Sequence, residues 1–313
     1  MAIYQNLDVC AILNSVYIQV ESNYQKMNDF NFQDDLKNEI SKILNNSGLK
    51  ISLEQNIHKI LIDFFNLKSK ILESKKRNVF IVSELEEQIK LHNKKLEIQK
   101  IIQLANDGEN LNCFQTNKII QSKQIDHLSN DWNVFHFHLS LESDKKPKFV
   151  KRGDLLLFAY IDEENIIFLG LDKHKDSFSN LKWLEILEKN YPHILKKFLA
   201  LDLPSVEKNF TTSDREKMWK SGVSSGFMNI NGRTYLCPGL GKVKSGHNLK
   251  VITQSNRILY WVTRVEDIVK NENYFFDNKS FNLKLRISEK TIEIYEKEKG
   301  NVFFEFPSYE IKK

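Results

Sequence analysis

A stretch of three apolar runs between residues 130 and 174 constrains the fold of this 313-residue chain more than any other feature. Its first run alternates Phe135, His136, Phe137 and His138. A strand sends successive side chains to opposite faces, so the two histidines share one face of a sheet. The next two runs, LLLFAYI and IIFLGL, are separated by a short polar loop, which predicts a hairpin. The stretch therefore predicts a sheet that carries two neighbouring imidazoles.

The patterns on either side of this stretch differ in period. Apolar residues recur at three- and four-residue steps from Leu7 to about Ile98, which predicts an α-helical N-terminal region. The late segments ILYWVTRV, FNLKLRI, TIEIYEK and NVFFEF alternate apolar and polar residues, as antiparallel strands do. We therefore predict an α+β fold. A helical region (1–125) precedes an α+β region (126–313), made of an antiparallel sheet with flanking helices (126–205) and a β-rich extension (206–313).

Three local signals place individual elements. Ser83, followed by acidic residues, predicts the start of a long helix that runs through Leu104. The sequence from Thr212 predicts a short capped helix that stops at Gly222. Directly beyond it, Asn231-Gly232 predicts a two-residue hairpin turn with positive φ angles.

Composition restricts partners and location. The net charge of +5 permits an anionic partner. No apolar run approaches the ~20 residues that cross a bilayer, and the first residues lack a basic leader, so we expect a cytoplasmic protein without membrane contact. Cys10, Cys113 and Cys237 are widely separated, so neither a disulfide nor a thiolate metal site is expected.

The histidine pair suits acid–base chemistry. Imidazoles exchange protons near neutral pH, and metal-free RNA cleavage needs one base, one acid and a cation for the phosphorane. We predict these catalytic roles for His136, His138 and His174, with Arg152 stabilising the phosphate charge. No cofactor or metal is needed. The predicted nucleic-acid contacts are Lys151, Lys173, Lys175 and Trp132.

Other interpretations of these residues stay open. The histidine face could be a polar surface without a role, and Trp132 could belong to the core. Three imidazoles, those of the His-x-His pair and His174, could bind zinc. The basic run from Lys68 to Arg77 could be a phosphate-binding ridge or a solvated helix face. The glycines near Gly239 match no phosphate-loop motif and indicate a turn cluster.

The turn Lys151-Arg152-Gly153-Asp154, followed by LLLFAYI, an acidic loop and IIFLGLDKH, resembles the RelE/ParE-like toxin superfamily over residues 130–180. Leu155-Leu156 stand where that family has Tyr-Arg. The resemblance implies a curved antiparallel sheet and mRNA cleavage on the ribosome without a metal. Segments such as Asn190-Tyr191-Pro192 are also similar to a group of bacterial proteins that have no assigned activity.

These observations lead to two predicted functions. The first is a metal-independent RNA endonuclease of toxin or phage-defence type, with RNA as its partner, association with the ribosome, and a protein partner or inhibitor. The alternative is a non-catalytic nucleic-acid-binding or protein-binding regulatory module, in which the helical half and the hairpin at residues 222–236 make the contacts. The sequence assigns no oligomeric state.

Overall fold

The computed structural model of the chain divides into two compact units, residues 43–257 and residues 1–42 with 258–312. The boundaries fall inside two helices, α1 (Phe32–Asn46) and α9 (Leu249–Asn271), numbered here in chain order. The structure describes residues 30–46, 54–121, 125–144, 149–173, 178–200, 210–271, 282–288 and 291–307.

The unit of residues 43–257 mixes helices with two sheets. Its elements in chain order are α2 (Ile57–Lys68), β1 (Asn78–Ile81), α3 (Ser83–Leu91), α4 (Lys95–Asp107), α5 (His127–Trp132), β2 (Val134–His138), β3 (Leu155–Ile161), β4 (Asn165–Lys173), α6 (Lys182–Asn190), α7 (Pro192–Lys196), α8 (Thr212–Lys220), β5 (Phe227–Ile230) and β6 (Arg233–Leu236). Two 3₁₀ helices, Asn112–Phe114 and Asn117–Ile120, lie between α4 and α5. Helices come first and strands later, so the α+β prediction is confirmed.

The larger sheet has the strand order β1-β4-β3-β2. β2, β3 and β4 pair antiparallel, as predicted for the three apolar runs. The register shifts between Phe158 and Ala159, and such bulges bend a strand. Nearly every residue of β3 is buried, which explains why its sequence is a continuous apolar run rather than an alternating one.

β1 adds a parallel edge to this sheet, so the predicted α-helical N-terminal region also contributes one strand. Val79 pairs with Ile166, and Ile81 pairs with Phe168. The predicted long helix from Ser83 to Leu104 is also two helices, since α3 ends at Leu91 and α4 starts at Lys95. β1 is hydrogen-bonded to β4, so residues on both sides of position 125 share one sheet.

Part of the basic run from Lys68 to Arg77 is internal. Lys70 is 2% exposed and its Nζ donates to the carbonyl of Gln121 at 2.6 Å. Burial lowers the pKa of this amine to about 8. The Arg77 Nε donates to the carbonyl of Asp162 at 3.1 Å. These cations tie loops together, so neither of the two interpretations of the run describes them.

The hairpin of β5 and β6 forms as predicted. Asn231 and Gly232 both have positive φ angles, 51° and 77°, which the two-residue turn requires. α8 is capped as predicted, but the cap is Thr211 rather than a residue from Thr212 onward: the Thr211 hydroxyl accepts from the Asp214 backbone, and the Asp214 carboxylate accepts from Thr211. The turn after α8 contains Gly222 with φ 75°, as expected for a helix stop.

The second unit contains a three-stranded antiparallel sheet, β7 (Leu283–Ile287), β8 (Thr291–Glu296) and β9 (Val302–Pro307). Its edge strand β7 is covered by α1. The carboxylates of Asp35 and Glu39 accept from the backbone N–H groups of Leu285 at 3.0 Å and Ile287 at 3.2 Å. The i,i+4 spacing of the two acids matches alternate residues of the strand. These two backbone N–H groups of the edge strand are therefore hydrogen-bonded.

The segment ILYWVTRV is not a strand, which corrects the prediction for residues 258–265. It lies within α9, where Ile258, Val262, Val265 and Val269 are buried at helical spacing. Among the helices that the structure describes, none combines the length and the apolar character needed to cross a membrane.

Candidate nucleic-acid interface and histidine face

His136 and His138 lie on one face of β2, as the alternation predicts. Their ring centroids are 6.1 Å apart, with an interplanar angle of 80°. By register, His136 pairs with Phe158, and His138 pairs with Leu156. The two imidazoles therefore meet edge to face on the sheet.

This histidine face is buried beneath aromatic rings. His136 is 7% exposed and His138 is 1% exposed. The Phe178 ring lies 4.8 Å from the His136 ring, and the Trp183 ring stacks on Phe158 at 4.1 Å. The face is therefore neither the open cleft that RNA cleavage requires nor a solvated polar surface.

Gly170 makes room for the aromatic cover. A Cβ at this position would lie 3.1 Å from Cζ3 of Trp183, which is tighter than ordinary packing. By register Gly170 pairs with Phe158, the residue on which the indole stacks. The small residue in an otherwise apolar strand thus allows a large ring to lie flat against the sheet.

One end of the sheet collects the predicted cations. β2 ends at His138, β3 begins at Leu155, and β4 ends at Lys173, which pairs with Leu155. Lys151 and Arg152 immediately precede β3 and are exposed. We call Lys151, Arg152 and Lys173 the basic end of the sheet.

Arg152 is the cation at this end whose position the structure explains most fully. One guanidinium nitrogen donates to Thr116 Oγ1 at 2.8 Å and to Asn117 Oδ1 at 2.6 Å. Both acceptors are neutral, so they hold the side chain without offsetting the positive charge of the guanidinium. Lys151, in contrast, forms an ion pair with Glu142.

Asp172 provides a carboxylate near the histidines. Its register partner is Leu156, which also pairs with His138, so the three side chains lie in one cross-strand row. Asp172 forms an ion pair with Lys182, whose amine lies 4.4 Å from the Trp183 ring centroid. This ion pair therefore lies on the same face of the sheet as His138, with β3 between them.

Trp132, which was predicted to contact nucleic acid, is not brought to this end. Trp132 is 2% exposed and packs against Trp219 at a centroid distance of 5.2 Å, so its ring offers no face to a base. His174 and Lys175 lie outside the described residues. Within the described part of the chain, no three His, Cys, Asp or Glu side chains converge as metal ligands.

Sequence reasoning did not find Thr116 and Asn117, which hold Arg152, or Phe178 and Trp183, which cover the histidines. These residues are distant in sequence from the groups that they contact, and their types are ordinary. The only local signal was the glycine of β4, since a lone glycine in a strand indicates close approach by another group.

Comparison with known proteins gives no relative for this chain. No family model matches the sequence, no curated protein is significantly similar to it, and no solved structure has a significantly similar fold.

Proposed function

We propose that this protein binds RNA through the basic end of the sheet. The observation that carries the proposal is Arg152, an exposed guanidinium held by two neutral oxygens at 2.6 and 2.8 Å. A cation fixed in advance loses little side-chain entropy when it contacts a phosphate, and the Nε and Nη1 hydrogens of Arg152 remain to donate to one. Phosphate contacts supply most of the sequence-independent affinity for nucleic acids.

The same geometry favours binding over cleavage. A general base must come within hydrogen-bond reach of the proton that it removes, and His138 is 1% exposed. Metal-independent cleavage by His136 and His138 is the second candidate function, supported by their ring distance of 6.1 Å. It requires that the aromatic cover opens. A toxin or phage-defence role, a cytoplasmic location, ribosome association and a protein inhibitor belong to this second candidate.

Binding is tested by titrating single-stranded RNA at several salt concentrations. Arg152→Gln should weaken binding and reduce the slope of log affinity against log salt by about 1, because one phosphate contact is lost. Arg264→Gln removes an equal charge from an exposed position in α9 and serves as the matched control. Equal affinity and slope in wild type and Arg152→Gln would refute the proposed contact.

Cleavage is tested separately with labelled RNA in the presence of a chelator. Wild type, His136→Asn and His138→Asn are compared, after thermal unfolding has shown that each variant is folded. The binding proposal predicts intact RNA in all three reactions. Cleavage by wild type that both substitutions abolish would establish the second candidate instead.

A further inference from the structure

A buried carboxylate with unused hydrogen-bonding capacity lies in α5. Asp131 is 2% exposed, and its Oδ2 accepts from the indole Nε1 of Trp219 at 2.6 Å. Its Oδ1 accepts no hydrogen bond from any described residue. Buried polar atoms are almost always paired, so this oxygen indicates an absent donor such as water or a ligand.

The surroundings of Asp131 disfavour its charge. Burial raises the pKa of this carboxyl to about 6, against the opposing influence of the Trp219 indole, the Lys242 amine and the Ser224 hydroxyl. Lys242 itself contacts Nδ1 of His127, whose ring stacks on Trp219 at 5.3 Å. The carboxyl therefore changes its charge close to neutral pH.

The loop after β6 locks Asp131 in place. The backbone N–H of Gly239 donates to the Asp131 carbonyl at 2.9 Å, and the Asn248 side chain donates to the carbonyls of Asn130 at 2.9 Å and Gly239 at 2.7 Å. A Cβ on Gly239 would lie 2.1 Å from the Asn130 carbonyl oxygen. Only glycine fits there, so the turn cluster serves packing.

Two openings meet beside this carboxylate. A small cavity of about 30 Å³, lined by Asp131, Trp219 and Cys237, has room for one or two waters. An open groove of about 510 Å³ runs along the start of α8 and the β5–β6 hairpin. Phe210, Arg215 and Asn229 line both. The volume of the groove is that of a small-molecule site.

Arg215 is the cation shared by cavity and groove. Burial lowers the pKa of its guanidinium, while the nearby charges of Glu185 and Asp214 oppose this shift. Among the described residues its guanidinium makes no hydrogen bond and no ion pair. No described carboxylate reaches hydrogen-bonding distance of this guanidinium, so its donors are available to an anionic ligand.

Two amides add donors to the groove. The Oδ1 of Asn180 accepts from the Lys182 backbone at 3.0 Å, and the Oδ1 of Asn229 accepts from the Gly232 backbone at 3.0 Å. Because only oxygen can accept from these N–H groups, each Nδ2 is left as a donor, and neither donates to a described residue.

We propose that this groove binds the phosphate of a nucleotide, either free or at the end of an RNA strand. The donors of Arg215, Asn180 and Asn229 hold the phosphate oxygens. The exposed carboxylate of Glu185, which also lines the groove, accepts from ribose hydroxyl groups, and Asp131 accepts from a water in the cavity. The site is separate from the basic end of the sheet and does not depend on it.

The site is tested by isothermal titration calorimetry with four ligands. These are inorganic phosphate, uridine 5′-monophosphate, and a short RNA that carries either a 5′-phosphate or a 5′-hydroxyl. Arg215→Gln should weaken phosphate-dependent binding at least tenfold, and Asn229→Ala severalfold. Lys217→Gln, which removes an exposed charge from the same helix, should leave it unchanged.

The ligands separate the two sources. Binding of the monophosphate identifies a free nucleotide, whereas binding that requires the 5′-phosphate of the strand identifies an RNA end. Arg215→Lys, which keeps the charge, should recover part of the affinity and shows that the loss in Arg215→Gln is not unfolding. Absence of binding by every phosphate ligand, or equal affinity in wild type and Arg215→Gln, would overturn the proposal.

Discussion

The histidine face and the Asp131 cavity both hold ionisable side chains that are almost fully buried, yet they differ in what surrounds them. His136 lies against the ring of Phe178 at 4.8 Å, beneath a cover that Trp183 completes by stacking on Phe158. Asp131 instead borders a cavity and has an oxygen without a donor among the described residues. Residue types indicate which chemistry a chain could perform, whereas space and unused hydrogen-bonding capacity indicate where a ligand can enter.

Removing the aromatic cover of the histidine face should cause the largest change in the free energy of unfolding. Trp183→Ala should lower the free energy of unfolding by about 3–5 kcal/mol, because a fully buried indole is lost. Urea unfolding measures the loss, and hydrogen exchange at the imidazole carbons should become faster as His136 and His138 gain solvent access. Trp261→Ala, at a half-buried ring in α9, should cost less. A larger loss at Trp261 would contradict the assignment of Trp183 to the cover.

The free energy of unfolding should depend on pH through the Asp131 carboxyl. The pKa of Asp131 is about 6 in the folded protein, above the ordinary 3.8, so the folded state binds this proton more tightly than the unfolded state. Stability is therefore lost as pH rises from about 4 to 6, by about 3 kcal/mol at most. Asp131→Asn lacks this loss and keeps an acceptor for Trp219.

The measurement compares urea unfolding of wild type and Asp131→Asn from pH 4 to 7.5. The free energy of unfolding of the variant should rise relative to wild type across that interval and then level off. A constant difference at all pH values would show that the carboxyl ionises normally.

The smallest expected effect concerns the helix that carries Arg215. Thr211→Ala removes the N-cap of α8 and should lower the free energy of unfolding by about 1 kcal/mol. It should also weaken phosphate binding in the groove slightly, since the first turn of the helix would fray. Thr212→Ala, one residue later and outside the capping box, is the control and should change both quantities less.

Local signals predicted local structure well. The bounds of β3 follow from one apolar run, and the Asn231-Gly232 turn follows from the φ angles that a two-residue hairpin demands. The strand prediction for ILYWVTRV was wrong because a short window rich in β-branched and aromatic residues fits both the strand period and the helical period. The buried positions Ile258, Val262 and Val265 fit the helical period once the window is extended.

The candidate sites were only partly predictable for a different reason. Alternation alone places His136 and His138 on one face, but the rings that cover them come from a later part of the chain. Arg152 stood out by its motif, whereas its partner Asn117 lies 35 residues earlier and has no distinguishing context. Contacts between distant residues depend on tertiary packing, which a single sequence does not display.

The hydrogen bond from the Asn248 side chain to the Asn130 carbonyl has a consequence for folding during synthesis. Its two residues are 118 positions apart, so the hydrogen bond closes a very long loop. Contacts of high sequence separation form late, because the entropy of loop closure must be overcome first. A chain emerging from the ribosome therefore lacks the Asp131 cavity until residue 248 has been synthesised and docked, and nucleotide binding would report that folding of this unit is complete.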